Sequence, residues 1–80
     1  MKPIKHSDVT LVKLKTQCTI ESIETSDVDL KQFLFTLGCY PKQRLTVLSH
    51  LGDNYIIELH GARYSIDKAL ALCIKISSII

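Results

Sequence analysis

The sequence predicts a mainly β fold: a small barrel of about five strands with one packed α-helix and a short helical turn before the last strand. Three observations predict it. β-Branched and aliphatic residues gather in short runs such as RLTVLSHL and NYIIELH, the composition of strands packed on one side. Only one segment, SDVDLKQFLFTLG, keeps helical spacing over more than two turns. Gly and Pro fall between the runs and leave connections of only a few residues, as in a small closed or nearly closed barrel.

The first strand is expected in CTIESIE, 18–24, where Ile20 and Ile23 are separated by polar Glu21 and Ser22. That alternation is imperfect. The helix follows. Ser26 or Asp27 can cap it, Asp29 suits its positive N-terminal end, and Leu30, Phe33, Leu34 and Leu37 fall at i, i+3, i+4 and i+7. Gly38 can end it in a left-handed conformation, and Pro41 keeps it from resuming.

Two strands at about 44–51 and 55–60 flank Gly52-Asp53-Asn54 as a hairpin. A two-residue turn places Leu45, Val47, Ser49 and Leu51 on one face with Ile56, Glu58 and His60. Thr46, Leu48, His50, Tyr55, Ile57 and Leu59 take the other, more apolar face, which is expected to face the core. A second turn at Gly61-Ala62 leads to a strand in RYSI, one helical turn or slightly more in DKALAL, and a closing strand in CIKI. No linker, repeat or low-complexity segment divides the 80 residues, so residues 1–80 are read as one domain.

Ten Lys and Arg against eight Asp and Glu give a net charge of +2, and no basic run exceeds two residues. That charge pattern argues against nucleic-acid binding, which draws its affinity from a dense array of cations. The longest apolar run, ALALCI, is far short of the roughly 20 residues that span a bilayer, and MKPIKHSD opens without the apolar core of a secretion signal. No membrane insertion is expected. Cys18, Cys39 and Cys73 are odd in number and lack C-x-x-C spacing, so they are read as buried free thiols in a reducing compartment. His50 and His60 lie on opposite faces of the expected hairpin and should not share an ion, and no metal or cofactor site is expected. Cys39 has no assembled base and orienting group, and the dispersed glycines form no phosphate loop, so no catalytic residue is assigned.

One face of the hairpin remains to be explained. With the second set turned inward, Leu45, Val47, Leu51 and Ile56 are more apolar surface than a two-layer domain usually exposes. The residues near the tip, Leu51, Asp53 and Tyr55, together with Tyr40 and Lys42 after Gly38, form the candidate docking surface for a protein partner.

The order of these signals resembles the FeoA family, the small ferrous iron transport protein A of bacteria. The resemblance runs through TLVKL at 10–14, IESI at 20–23, LFTLGCYP at 34–41, GDNYIIELHG at 52–61, RYSI, and ALCIKI at 71–76. The family often carries Pro-Gly where this chain has Lys15-Thr16 and Pro41-Lys42. The resemblance implies a Src-homology-3-like barrel without an active site. It would act as a cytoplasmic accessory of FeoB, the ferrous-iron transporter with a cytoplasmic GTPase domain, and could be recruited by it to the inner face of the membrane. Self-association into a homo-oligomer, and transition metal binding at a subunit interface, are left open. The same fold is similar to the C-terminal domain of iron-dependent repressors, but no winged-helix segment precedes residue 10, which disfavours repressor activity. The alternative is a free-standing barrel that binds another peptide or an RNA.

Overall fold

The computed structural model describes residues 7–79. Its elements are β1 (Ser7–Asp8), a 3₁₀ turn (Val9–Leu11), β2 (Gln17–Ile23), α1 (Val28–Leu37), β3 (Arg44–Leu51), β4 (Asn54–Leu59), β5 (Ala62–Asp67), α2 (Lys68–Cys73) and β6 (Ile74–Ile79). The strands form one sheet in the order β1-β6-β2-β3-β4-β5, with every pairing antiparallel. The sheet curls on itself. Helix α2 touches β4 and β5 at one edge and β1 with the 3₁₀ turn at the other, so a helix rather than a strand pairing bridges the two edges. Ile20, Leu45, Val47, Ile57, Leu59, Ile66, Ile74 and Ile76 fill the interior.

Local chemistry sets most of the boundaries. Asp27 caps α1, accepting hydrogen bonds from the backbone N–H of Asp29 at 2.9 Å and Leu30 at 3.3 Å. Asp67 does the same for α2, accepting from Leu70 N–H at 2.9 Å. Asp8, the buried charged residue among the described side chains, accepts from both the backbone N–H and the hydroxyl of Thr10 and lies 4.0 Å from Lys75 Nζ. These partners satisfy a carboxylate that burial alone would penalise.

The hairpin turn is Gly52-Asp53, with Leu51 opposite Asn54. Gly52 takes φ +60° at the first central position, as a type II′ turn requires. The next turn is His60-Gly61, not Gly61-Ala62 as expected. Leu59 pairs with Ala62, and both central residues have positive φ, 56° and 80°, the signature of a type I′ turn.

Two expected faces are corrected. Near the tip the pairing runs as predicted, with His50 opposite Tyr55 and Ser49 opposite Ile56. Between Val47 and Ser49 the register then shifts by one residue, and Val47 comes to face Ile57. One extra residue reverses every side chain beyond it. Leu45 and Val47 therefore point into the core with Tyr55, Ile57 and Leu59, while Thr46 turns outward and Leu48 is only half-buried. The apolar outer face inferred from Leu45 and Val47 does not exist. Register shifts in β2, between Thr19 and Ile20 and between Ile20 and Ser22, likewise explain why its alternation was imperfect.

On α1 the stripe is also displaced. Leu34 is fully buried and Leu30 and Leu37 pack beside it, but Phe33 is 47% exposed and Phe35 takes its place against the core. Leu34→Ala should cost about 2–5 kcal/mol through the cavity it leaves, whereas Phe33→Ala should cost less than about 1 kcal/mol. Urea unfolding of both variants checks the assignment, and comparable losses would place the wrong residue in the core.

Candidate functional site

The segment from Gly38 to Gln43 joins α1 to β3 and is held by main-chain bonds at nearly every step. Cys39 N–H donates to Leu34 C=O at 3.0 Å and Gly38 N–H to Phe35 C=O at 3.0 Å. With Gly38 at φ +103°, this pair of bonds is a Schellman motif, which satisfies carbonyls that a helix end otherwise leaves bare. Cys39, the residue after the glycine, is fully buried together with Leu34. Tyr40 N–H donates to Gly38 C=O at 3.0 Å and Gln43 N–H to Tyr40 C=O at 3.1 Å. Lys42 N–H then donates to Ile20 C=O at 2.7 Å, and Ile20 N–H to Gln43 C=O at 2.8 Å, tying the loop to β2. Pro41 has no N–H to satisfy. The loop is thus an ordered extension of the sheet.

Its exposed product is Tyr40, 48% accessible, whose ring stacks on Phe35 with centroids 5.3 Å apart and planes 13° from parallel. Lys31 Nζ stands 6.0 Å from the centre of the Phe35 ring, at the outer limit of a cation–π contact. A lysine from the middle of α1, a phenylalanine one turn later and a tyrosine from the loop so form a row. Lys42 is exposed and adopts φ +75°, at the position where the sequence departs from a Pro-Gly pair. A side chain in that conformation costs roughly 1–2 kcal/mol that glycine would not.

The five expected docking residues do not form one surface. Tyr40 and Lys42 lie beside the start of β3, whereas Leu51 and Asp53 lie at its far end, about 23 Å away for seven strand steps. Leu51 is 83% exposed on the hairpin tip. Tyr55 is buried, and His50 covers it in a parallel stack at 4.3 Å, so it belongs to the core and not to a docking surface. His60 stands at the Tyr40 end. A Cβ placed on Gly38 would lie 3.2 Å from His60 Cδ2, which shows how closely the β4–β5 turn approaches the end of α1. His50 and His60 are therefore separated by the length of β4, a stronger reason than opposite faces for their not sharing an ion. No group of three or more His, Cys, Asp or Glu among the described residues is placed to hold a metal.

Sequence reading missed Phe35, Lys31 and His60 as members of this end. Phe35 lies off the helical stripe. The available signal was the Schellman geometry implied by Gly38, which folds the chain back so that Tyr40 meets the last turn. Cys18, Cys39 and Cys73 are buried and free, and burial pushes the Cys18 and Cys39 thiols up to about 11, which suppresses the reactive thiolate.

The family profile of the FeoA domain matches residues 9–78. The chain belongs to the FeoA family. A crystal structure of an iron uptake regulatory protein, FeoA, superposes with a TM-score of 0.80 at 20% identity, covering 90% of this chain and 95% of the other. The zinc complex of Stenotrophomonas maltophilia FeoA, described as a prokaryotic SH3 domain protein and advanced as a bacterial ferrous iron transport activating factor, gives 0.80 at 13% identity, with 88% of each chain covered. A manganese-dependent transcriptional repressor gives 0.86 at 15% identity over 99% of this chain, but over only 43% of its own length. At these identities the likenesses show a shared Src-homology-3-like fold. A search of curated proteins gave no match. No helix among the described residues is long and apolar enough to cross a membrane.

The FeoA loop depends on its glycine twice, through the left-handed φ and through the approach of His60. Gly38→Ala should destabilise by about 1–3 kcal/mol. In a His60→Ala background part of that loss should be recovered, because only the steric share is relieved. A double-mutant cycle by thermal unfolding measures that share, and a coupling of zero would show that the two residues do not touch.

Proposed function

We propose that this FeoA domain is a cytoplasmic accessory of ferrous iron uptake that acts by docking, through Tyr40 and its loop, on the cytoplasmic region of an FeoB-type transporter. The observation that carries the reading is membership of the FeoA family over residues 9–78. The loop supports it independently. An aromatic side chain left half-exposed on a backbone that is already hydrogen-bonded loses little entropy when a partner covers it, as a docking anchor should.

The domain carries no catalysis of its own. Cys18 and Cys39 are buried with their thiols pushed up to about 11, unfavourable for nucleophiles at neutral pH. The expected partner instead supplies the GTPase chemistry. Binding at Tyr40 could change transporter activity only by favouring one of its conformations, in proportion to the difference in affinity between them.

A pull-down of the purified transporter cytoplasmic region, with and without guanine nucleotide and over a range of salt, tests the reading. The parent protein should be retained, and Tyr40→Ala, shown to be folded by circular dichroism, should bind at least tenfold more weakly. Absence of binding under every condition would overturn the proposed partnership. Nucleotide hydrolysis that follows the folded accessory through purification would overturn its non-catalytic role.

A further inference from the structure

The two ends of the barrel differ in charge. Lys42 and Arg44 lie at the Tyr40 end, where β3 begins, and Lys31 stands over the supporting Phe35 ring. Asp53 and Asp67 lie at the opposite end, the first in the hairpin turn and the second paired in register with Asn54, together with one cation, Lys68, which follows Asp67 at the start of α2. Lys31, Lys42 and Arg44 are exposed. The ion pair formed among the described residues is Asp8 with Lys75, elsewhere in the fold.

The acidic groups on the adjoining strands are Glu21 and Glu58. Glu21 follows Ile20, whose backbone holds the loop, and is exposed. Glu58 is half-buried on the outer face, between Thr46 on β3 and Arg63 on β5. Arg63 therefore has a cross-strand carboxylate beside it and Lys31 has Asp27 one turn earlier on α1, whereas Lys42 and Arg44 have only Glu21 on the adjoining strand. The stack on Phe35 fixes one face of Tyr40, and the residue as a whole stays 48% exposed.

We infer that the Tyr40 end of the barrel binds an acidic segment of the protein partner, with an apolar side chain of that segment on the open part of Tyr40 and its carboxylates beside Lys42 and Arg44. The inference rests on the partner reading above and specifies its chemistry. A rigid aromatic anchor supplies contact area, and cations without partners supply complementarity to acidic side chains and faster encounter. A nucleic acid fits less well. Three dispersed cations neutralise few phosphates, and one partly open ring offers no run of stacking platforms.

Calorimetric titration of the transporter cytoplasmic region with the full chain, at low and high sodium chloride, tests the inference. Lys42→Glu with Arg44→Glu should weaken binding at least tenfold and flatten its salt dependence. A single charge reversal at the other end, Lys68→Glu at the start of α2, should alter affinity less than twofold. Lys42→Ala with Arg44→Ala provides the comparison if charge reversal disturbs folding, and should weaken binding about threefold or more. A parent that binds while charge reversal and Lys68→Glu have equal effects overturns the acidic-segment inference and leaves the partnership standing. A parent that does not bind at all overturns both. A 20-nucleotide oligouridine that binds as tightly, through the same residues, would also overturn the inference in favour of nucleic acid.

Discussion

The left-handed turn at Gly38 is the constraint on which the Tyr40 end of the protein depends. Its φ of +103° allows Cys39 and Gly38 to donate back to Leu34 and Phe35, and that reversal drives Cys39 inward while bringing Tyr40 over Phe35. The same turn directs the chain to β2, where Lys42, Gln43 and Ile20 complete three more main-chain bonds with Tyr40 and each other. A side chain at residue 38 would meet His60 on the neighbouring turn. Helix end, loop and β4–β5 turn are consequently one packed unit.

This arrangement separates the work of the core from that of the surface. Leu34 and Cys39 hold the junction from inside, and Tyr40 and Lys42 emerge from it already positioned. Lys42 keeps a left-handed backbone that is costly for a residue with a side chain, yet its N–H bonds to Ile20 at 2.7 Å. The surrounding ladder therefore determines the loop conformation against a local preference. In a chain of 80 residues with a modest core, such main-chain order keeps an exposed aromatic in one place without a larger domain beneath it.

Much of the fold was legible because local signals and global packing agree in α1, in the Gly52-Asp53 turn and in the strand from 54 onward. The Asp27 cap and Gly38 stop are short-range features that the sequence displays directly. The inward face of β3 was not legible. Val47 and Leu48 are adjacent apolar residues on opposite faces, so either face could be the inner one, and a bulge leaves no reliable residue type to mark it. Phe33 and Phe35 pose a similar difficulty. Both are apolar and two positions apart, and the choice between them depends on Tyr40, which comes from beyond the helix. Of the expected docking residues only Tyr40 and Lys42 share one end of the fold, because Leu51 and Asp53 lie at the far end of β3 and in the turn that follows it. Tyr55 lies in the core beneath His50, as its place on the inward face of the expected hairpin implied, and its nearness to the tip in sequence did not make it part of the surface.

If the loop is an ordered extension of the sheet, its amides should exchange as slowly as the strands they bond to. Native-state hydrogen exchange followed by nuclear magnetic resonance reads Cys39, Lys42 and Gln43 individually. The expected result is protection at Cys39 and Lys42 close to that of Ile57 in the core of β4, with exchange through global unfolding. Exchange at those amides through low-energy local opening, while Ile57 stays protected, would contradict a preformed Tyr40 platform.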